Sequence, residues 1–291
     1  MIRIGPAGWA YKDWEGIVYP RQKPKGFHPL EYLAHYFDTV EINSSFYGPP
    51  RPTAARQWAE QVQPNARFRF TAKLYEAFTH KRNATAADER DFKNGLDPLV
   101  EAERFGALLL QFPWSFRFDT DNRLYLVELQ RRFAEYPLVV EVRHASWAQP
   151  EVLDLLAELG IGLANIDQPL FKRSIKPGAE VTAAVGYVRL HGRNYRNWFS
   201  KTADVRERYD YLYPVDELEP WVARIRTVSE KAPETYAVTN NHYVGKAVVN
   251  ALEISSILKG GPVEAPPPLV EKYPELRDFG AEMPDWITPR D

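Results

Sequence analysis

The chain has 291 residues, of which 37 are basic and 39 acidic, so its formal net charge is −2 at pH 7. Such a balance predicts no general attraction to nucleic acid or to anionic membranes, although it leaves room for a local basic groove. Because the chain has no cysteine, disulfides, thiolate metal sites and cysteine nucleophiles are excluded. Aromatic residues make up 13% of the chain, and eight of them are Trp.

The N-terminal residues read as a strand and lack the basic and apolar regions of a signal peptide. No apolar run reaches the roughly 18 uncharged residues that a membrane-spanning helix needs. We therefore expect a cytoplasmic protein that makes no membrane contact.

Short apolar runs alternate with amphipathic stretches along the chain, which is the pattern of a parallel sheet with helices between its strands. Eight strands are predicted, at residues 2–8, 39–46, 67–74, 106–112, 138–144, 161–167, 186–191 and 235–241. Seven helices are predicted, at residues 29–37, 53–62, 89–104, 122–133, 151–159, 215–231 and 246–259. Pro150 marks a helix start, and Gly160 and Gly260 mark helix ends.

Eight strands with intervening helices match the strand count and the length of a TIM-type barrel. We predict one α/β domain, a (β/α)8 barrel over residues 1–261, followed by a Pro-rich extension at 262–291. The extension is expected to be non-helical and either packed on the barrel or partly mobile. A doubly wound open sheet is the competing fold, but no Gly-x-Gly-x-x-Gly motif or P-loop follows any strand.

Polar residues occupy the inward positions of the predicted strands. Alternate residues of a barrel strand point inward, and the C-terminal strand ends with their loops build the site. This parity sends Glu41 and Asn43 inward from the second strand, and Arg69, Thr71 and Lys73 inward from the third. The remaining strands add Gln111, Glu141, Arg143, Asp167, Arg189, His191, Asn240 and His242.

Apart from Arg69, six of these inward residues are charged, and three of each sign face one another. Any one of them could be a structural ion pair, but burying six charges together is expensive without a use for them. The set therefore indicates a functional site. The acids are Glu41, Glu141 and Asp167, and the bases are Lys73, Arg143 and Arg189.

The balance of signs favours an anionic ligand over a metal cluster. The three cations suit a phosphate or carboxylate and oppose several bound metal ions. A single divalent metal held by one of the three acids together with His191 or His242 stays open but is not favoured.

Aromatic residues cluster directly after the predicted strands. Five of the eight Trp lie there, and Tyr side chains accompany them. These rings could simply pack within their own loops, but together they indicate a flat-faced ligand such as a sugar or a nucleobase. The predicted ligand-binding rings are Trp9, Tyr11, Trp14, Tyr47, Trp147 and Trp198.

Several ordered motifs resemble those of the YecE-like family, which is domain of unknown function 72. The motifs are GWAY at 8–11, VEINSSFY at 40–47, FRF at 68–70, QFP at 111–113, EVRH at 141–144, VRLHG at 188–192 and NN at 240–241. The resemblance covers residues 2–258 and implies a TIM-type barrel, but it implies no particular activity. It carries over Glu41, Lys73, Glu141, Arg143, Arg189 and His191 as the pocket.

The chain departs from the family pattern at three places. Gly48 stands where an Arg commonly follows Phe-Tyr, which weakens the case for anion binding by that loop. Trp114 stands in place of a second Pro, and Pro6-Ala7 stands in place of Thr-Ser.

The first functional hypothesis is an enzyme, of the hydrolase, lyase or isomerase type, that acts on a phosphorylated, sugar-like or nucleotide-like small molecule at the barrel mouth. Glu41 or Glu141 would be the general base, and His191 an acid–base partner. Arg143 and Arg189 would clamp the anion.

Three alternatives stay open. Lys73 could form a Schiff base, although an ion pair with Glu41 or Glu141 is the expected state. Metal-assisted hydrolysis of phosphoesters in nucleic acid is disfavoured by the near-zero net charge. A non-enzymatic binding or regulatory module would use the same pocket without turnover, and two glutamates locked in bidentate arginine pairs would favour that reading.

Overall fold

A computed structural model describes residues 1–199 and 205–279. Its eight strands are all parallel and run in the order β1-β8-β7-β6-β5-β4-β3-β2. The ring closes between β1 and β2, where the amide of Gly8 donates to the carbonyl of Glu41 at 2.8 Å. The strands are β1 Ile2–Pro6, β2 Thr39–Ile42, β3 Arg69–Lys73, β4 Phe105–Gln111, β5 Leu138–Glu141, β6 Gly162–Asp167, β7 Val185–Leu190 and β8 Glu234–Thr239.

The described residues form nine α-helices. They are α1 Pro29–Tyr36, α2 Pro52–Gln61, α3 Glu76–Thr79, α4 Ala86–Glu101, α5 Thr120–Arg132, α6 Pro150–Glu158, α7 Val215–Lys231, α8 Lys246–Lys259 and α9 Pro267–Lys272. Every predicted strand and every predicted helix is present, so the TIM-type barrel is confirmed. The helix α3 was not predicted, because four residues are too short for a helical pattern to register.

Proline and glycine mark the starts and ends of helices where the sequence predicts them. Pro150 is the first residue of α6, where its missing N–H costs no hydrogen bond. Gly160 and Gly260 follow α6 and α8 with φ of +65° and +68°, a conformation that only glycine adopts without strain.

The helix α4 begins at a capping box. The hydroxyl of Thr85 accepts from the amide of Asp88, and the Asp88 side chain accepts from the amide of Thr85. Replacing Thr85 with alanine should lower the free energy of unfolding by about 1 kcal/mol, because the amide of Asp88 at the helix start loses its acceptor. Urea denaturation followed by circular dichroism measures this loss, and an unchanged midpoint would contradict it.

The start of the C-terminal extension is helical, which corrects the prediction of a non-helical segment. Prolines at 266–268 suit the first turn of α9, since the amides of that turn have no partner within the helix. The side chains of Leu269 and Val270 are buried, and the hydroxyl of Tyr273 donates to the carbonyl of Val244 at 2.8 Å. The predicted extension continues to residue 291, but residues 280–291 lie outside the described range.

The barrel interior is polar towards the C-terminal ends of its strands. The hydroxyls of Thr71 and Tyr187 meet across the barrel at 2.9 Å, below the charged residues. Nearer the N-terminal ends, a side chain at Gly106 would meet the Tyr236 hydroxyl, so that ring fills the space. No helix in the described ranges is long and apolar enough to cross a membrane.

Candidate functional site

A single arginine joins the two predicted catalytic glutamates at the centre of the barrel. Arg189 on β7 donates to both carboxylate oxygens of Glu41, at 3.0 and 2.7 Å. It also donates to Oε2 of Glu141 at 2.8 Å. All three side chains are fully buried. Although burial opposes the charge on Arg189, the two glutamates raise its pKa above the ordinary value. The prediction that these side chains point into the barrel is thus confirmed. Arg189 is too deeply buried to contact a ligand, however, which corrects its predicted role as a clamp.

The second oxygen of Glu141 is also fully engaged. Its Oε1 accepts from Gln111 at 2.7 Å and from Arg143 at 2.8 Å, and lies 3.0 Å from Nε2 of His191. Burial alone would raise the pKa of Glu141, but the charges of the two arginines and the hydrogen bond from His191 hold that pKa well below the ordinary value. A carboxylate in this state is a poor general base.

His191 is a neutral side chain within the same network. Burial lowers its pKa to about 3, even though Glu141 favours the charged form. Nδ1 lies 3.0 Å from the amide nitrogen of Asn240, which can only donate. We therefore assign the ring proton to Nε2, where it is donated to Glu141. With no exposed surface, His191 positions Glu141 and does not reach the cavity described below.

Lys73 differs from its charged neighbours because it has no close counter-ion in that network. Its Nζ lies 4.0 Å from Oε1 of Glu41, beyond hydrogen-bond distance. Burial is the main cause that lowers the pKa of Lys73 to about 7, and Arg189 adds to it while Glu41 and Glu141 partly oppose it. The expected ion pair is therefore long, and much of the amine is neutral near pH 7.

A cavity of about 590 Å³ lies at the C-terminal mouth of the barrel, and Lys73 forms part of its floor. The residues lining it combine polar groups on the floor with aromatic rings on the walls. The floor consists of Lys73, Asn43, Tyr11, Asn240 and His242, and the rings on the walls are Trp9, Tyr47, Trp58 and Tyr209.

Hydrogen bonds hold the floor in place and leave one acceptor open. The amide of Asn43 donates to the hydroxyl of Tyr11 at 3.0 Å, and that hydroxyl donates to the carbonyl of Ala7 at 2.8 Å. The ring of Tyr11 stacks on the ring of His242, with 4.3 Å between centroids. Oδ1 of Asn43 is buried and has no hydrogen-bond partner among the described residues. A ligand hydroxyl would donate to it once the Asn43 side chain turned toward the cavity, because the oxygen has almost no exposed surface in this conformation.

The cavity confirms the inward positions of Asn43, Asn240 and His242 and brings Trp9, Tyr11 and Tyr47 together around them. Sequence reasoning missed two wall residues. Trp58 lies in the middle of α2 and reaches the mouth by packing edge-on against Trp9, with 5.3 Å between ring centroids. Tyr209 lies in the long segment after β7. Neither residue lies on a strand, so the alternation of inward and outward strand residues could not predict its position.

Two of the predicted ligand-binding rings are in the core, which corrects those predictions. Trp14 is fully buried and donates to the carbonyl of His242 at 2.7 Å. Trp147 is stacked on Phe116, to whose carbonyl it donates at 2.9 Å. Both rings stabilise the loops that carry them, because a buried indole N–H needs a fixed acceptor.

Asp167 does not line the cavity, and its predicted role in binding a ligand stays a prediction. Its carboxylate is held by Arg193 through two hydrogen bonds of 2.8 and 3.1 Å. The hydroxyl of Tyr213 donates to the same group at 2.5 Å. Asp167 and Tyr213 are buried while Arg193 is partly exposed, and their contacts anchor the segment after β7 to β6.

Arg143 and Trp198 form a contact above the network. The guanidinium of Arg143 lies 5.3 Å from the ring centroid of Trp198, which is 8% exposed. Of the two predicted clamp residues, Arg143 alone retains some exposure, at 13% of its side chain. Gln111 serves Glu141 and does not line the cavity.

The described residues contain no group of three His, Asp or Glu side chains that could hold a metal ion. Glu41 and Glu141 are bound by arginines, and Asp167 is bound by Arg193. The donor set considered for a divalent ion is thus already occupied by cations of the chain itself.

The loops at the mouth are more basic than the whole chain. Segment 168–184 has Lys172, Arg173 and Lys176 against one acid, Glu180, and segment 191–199 has basic side chains and no acidic one. Arg193 is paired with Asp167 and Glu217, so the two segments add only a modest excess of unpaired basic side chains to a chain of net charge −2.

A second cavity, of about 770 Å³, lies on the outer surface between α1 and residues 61–67. None of the charged residues of the barrel interior lines it. We therefore take the cavity at the mouth as the candidate site.

Comparison with known proteins identifies the family. The family model "Protein of unknown function DUF72" matches residues 3–272. A DUF72 family protein of Thermotoga maritima is 33% identical, with a TM-score of 0.77 over 89% of this chain and 99% of that one. One of Enterococcus faecalis is 26% identical, with a TM-score of 0.77 over 89% and 96%.

A curated relative, the UPF0759 protein YecE of Escherichia coli K12, is 30% identical over 118 residues, which is 40% of this chain and 39% of that protein. The match thus spans less than half of that relative. The family model covers nearly the whole chain and agrees with the resemblance in the motifs. The chain belongs to DUF72, a family of proteins of unknown function.

Proposed function

We propose that the chain is an enzyme that acts on a small, phosphorylated, sugar-like molecule bound in the mouth cavity, with Lys73 as its reactive group. One observation carries this proposal. The amine of Lys73 is buried at the cavity floor, 4.0 Å from the nearest oxygen of Glu41, with a pKa lowered to about 7. Lysines of this kind serve as bases and nucleophiles near neutral pH.

The cavity supports the proposed ligand class. Tyr47, at 71% exposure, and Trp9 offer ring faces of the kind that pack against sugars. Oδ1 of Asn43 is an unpartnered acceptor at the floor, and a ligand hydroxyl would satisfy it once this side chain turned toward the cavity. We expect the basic residues Lys172, Arg173 and Lys176 on segment 168–184 and Arg196 on segment 191–199 to favour a phosphorylated ligand over a neutral one.

A second candidate function is non-enzymatic ligand binding. It is favoured by the bidentate pairing of Glu41 with Arg189 and by the full engagement of Glu141, which leave neither glutamate free as a base. The two candidates differ in one measurable respect: the binding module leaves its ligand chemically unchanged.

The test is a binding screen of sugar phosphates, nucleotides and their unphosphorylated counterparts, followed by NMR of each bound compound after incubation. We expect a phosphorylated sugar to bind and to be converted. Tyr47→Ala should weaken binding about tenfold, as loss of a stacking ring commonly costs 1–3 kcal/mol. Tyr195→Ala is the matched control, since Tyr195 is an exposed mouth residue that does not line the cavity.

Three outcomes would contradict the proposal. If no compound binds, the cavity is not a site for this class. If a compound binds with equal affinity to the wild type and Tyr47→Ala, it binds elsewhere. Binding without any conversion by the wild type would support the non-enzymatic module instead.

A further inference from the structure

We propose that Lys73 forms a Schiff base with an aldehyde or ketone group of the ligand, so that the substrate is a carbonyl compound. This inference rests on the proposed function and deepens it. It assigns the reactive lysine a nucleophilic role in place of simple proton transfer, and it narrows the substrate to open-chain sugars and related hydroxy-carbonyl compounds.

The position of Lys73 suits attack on a ligand. The residue ends β3, so its side chain rises from the barrel wall to the cavity floor, and its Nζ lies 5.6 Å from the ring centroid of Phe46. The side chain lines the cavity, yet it is only 9% exposed. A carbonyl carbon in the cavity would therefore meet the amine with little competing water.

Burial keeps part of the Lys73 amine unprotonated, and the charges that face the amine do not reverse this effect. Arg189 and Arg143 oppose a further positive charge, whereas Glu41 and Glu141 favour one. The two carboxylates are already bound by the arginines, and so their attraction for Lys73 is largely offset. Roughly half of the amine is then neutral at pH 7, against less than about one part in a thousand for an exposed lysine.

The floor beside Lys73 indicates a hydroxylated carbonyl compound. Oδ1 of Asn43 is a buried acceptor with no hydrogen-bond partner among the described residues, and Asn43 and Lys73 line the same cavity. Once the Asn43 side chain turned toward the cavity, a hydroxyl next to the carbonyl group of a sugar would donate to this oxygen while the carbonyl carbon approached Nζ. The unfilled acceptor thus points to the same ligand independently of the amine.

The covalent step balances without any co-reactant. The lone pair of Nζ forms a bond to the carbonyl carbon, and one proton moves from nitrogen to oxygen to give a carbinolamine. The hydroxyl then leaves as water with a second proton from nitrogen, and the C=N bond forms. Taking up one proton from solvent gives the iminium ion, which withdraws electrons from the neighbouring carbon.

Reductive trapping tests the inference. The full chain is incubated with hydroxy-aldehydes and hydroxy-ketones, with and without a phosphate group, in the presence of cyanoborohydride. We expect a single adduct whose mass exceeds that of the chain by the mass of the compound less one oxygen atom. Peptide mapping should place it on Lys73, and the labelling rate should rise with pH to a plateau above about pH 7, following the pKa of that amine.

Two variants serve as controls. Lys73→Arg keeps a cation but cannot form the adduct, and labelling should fall at least a hundredfold. Lys93→Arg removes a surface lysine that is paired with Glu89 and Glu135, and labelling should be unchanged. Mapping of the wild-type adduct keeps the test decisive if Lys73→Arg fails to fold.

The inference would be overturned by labelling spread over surface lysines, or by a ligand that binds in the cavity and is converted without any trapped adduct on Lys73. In the second outcome the proposed function survives and Lys73 acts only in proton transfer. Absence of any cavity ligand in the binding screen would instead remove the proposed function itself.

Discussion

Replacing Arg189 with methionine should lower the free energy of unfolding by about 3–5 kcal/mol, which is the usual cost of removing one partner from a buried ion pair. The variant leaves Glu41 and Glu141 fully buried without the guanidinium that binds them both. Urea denaturation of the wild type and the variant at pH 7 measures the difference.

The matched control is Arg132→Met, because Arg132 is paired with Glu89 and Glu128 at the surface. Such exposed pairs contribute about 1 kcal/mol or less. The cost of Arg189→Met should also shrink when Glu41→Gln is added, since the added change removes one unpaired charge. Equal losses for the two arginine variants would show that the buried network contributes no more than a surface pair.

Replacing Lys73 with methionine should raise the free energy of unfolding by about 4 kcal/mol at pH 7. The folded chain lowers the pKa of Lys73 from 10.5 to about 7, so the unfolded chain binds the proton more tightly. The protonated amine therefore destabilises the folded state. This destabilisation is complete below pH 7, decreases as the pH rises from about 7, and disappears above pH 10.5. The increase in the free energy of unfolding that Lys73→Met produces should depend on pH in the same way.

The free energy of unfolding of the wild type and of Lys73→Met, measured at pH 6, 8 and 10, checks that the variant is more stable and that its advantage decreases with pH. Lys93→Met is the control, since Lys93 is paired with Glu89 and Glu135 on the surface. Lys93→Met should change the free energy of unfolding only slightly, and this change should not decrease between pH 7 and 10.5. A Lys73→Met variant that is less stable than the wild type at pH 6 would mean that the amine is held as a stabilising cation.

The strand pattern predicts the fold and much of the barrel interior. Period-two alternation is enough to send Glu41, Lys73 and Arg189 inward, because a parallel strand in a closed ring offers only two faces. Alternation does not say how far a side chain reaches. Whether Arg189 binds both glutamates depends on its length and on the barrel diameter, and neither is visible in the sequence.

The loops were predicted less well, for a related reason. Trp9 and Trp147 both follow a strand, yet the first lines the cavity and the second lies in the core. Their different positions depend on loop conformation, which no periodic pattern fixes. Trp58 was assigned to a helix and nevertheless reaches the mouth, because α2 brings it against Trp9.

The bridge made by Arg189 also bears on how the barrel folds. Its hydrogen bonds join β7 to β2, 148 positions earlier in the chain, and to β5, 48 positions earlier. We expect contacts between residues so far apart in the sequence to form late in folding, because the chain between them must lose its conformational entropy before the contacts stabilise it. A partly assembled ring would hold the three charges in water or bury them unpaired. The three charges come from β2, β5 and β7, so neither the first four strands nor the last four can form this network alone.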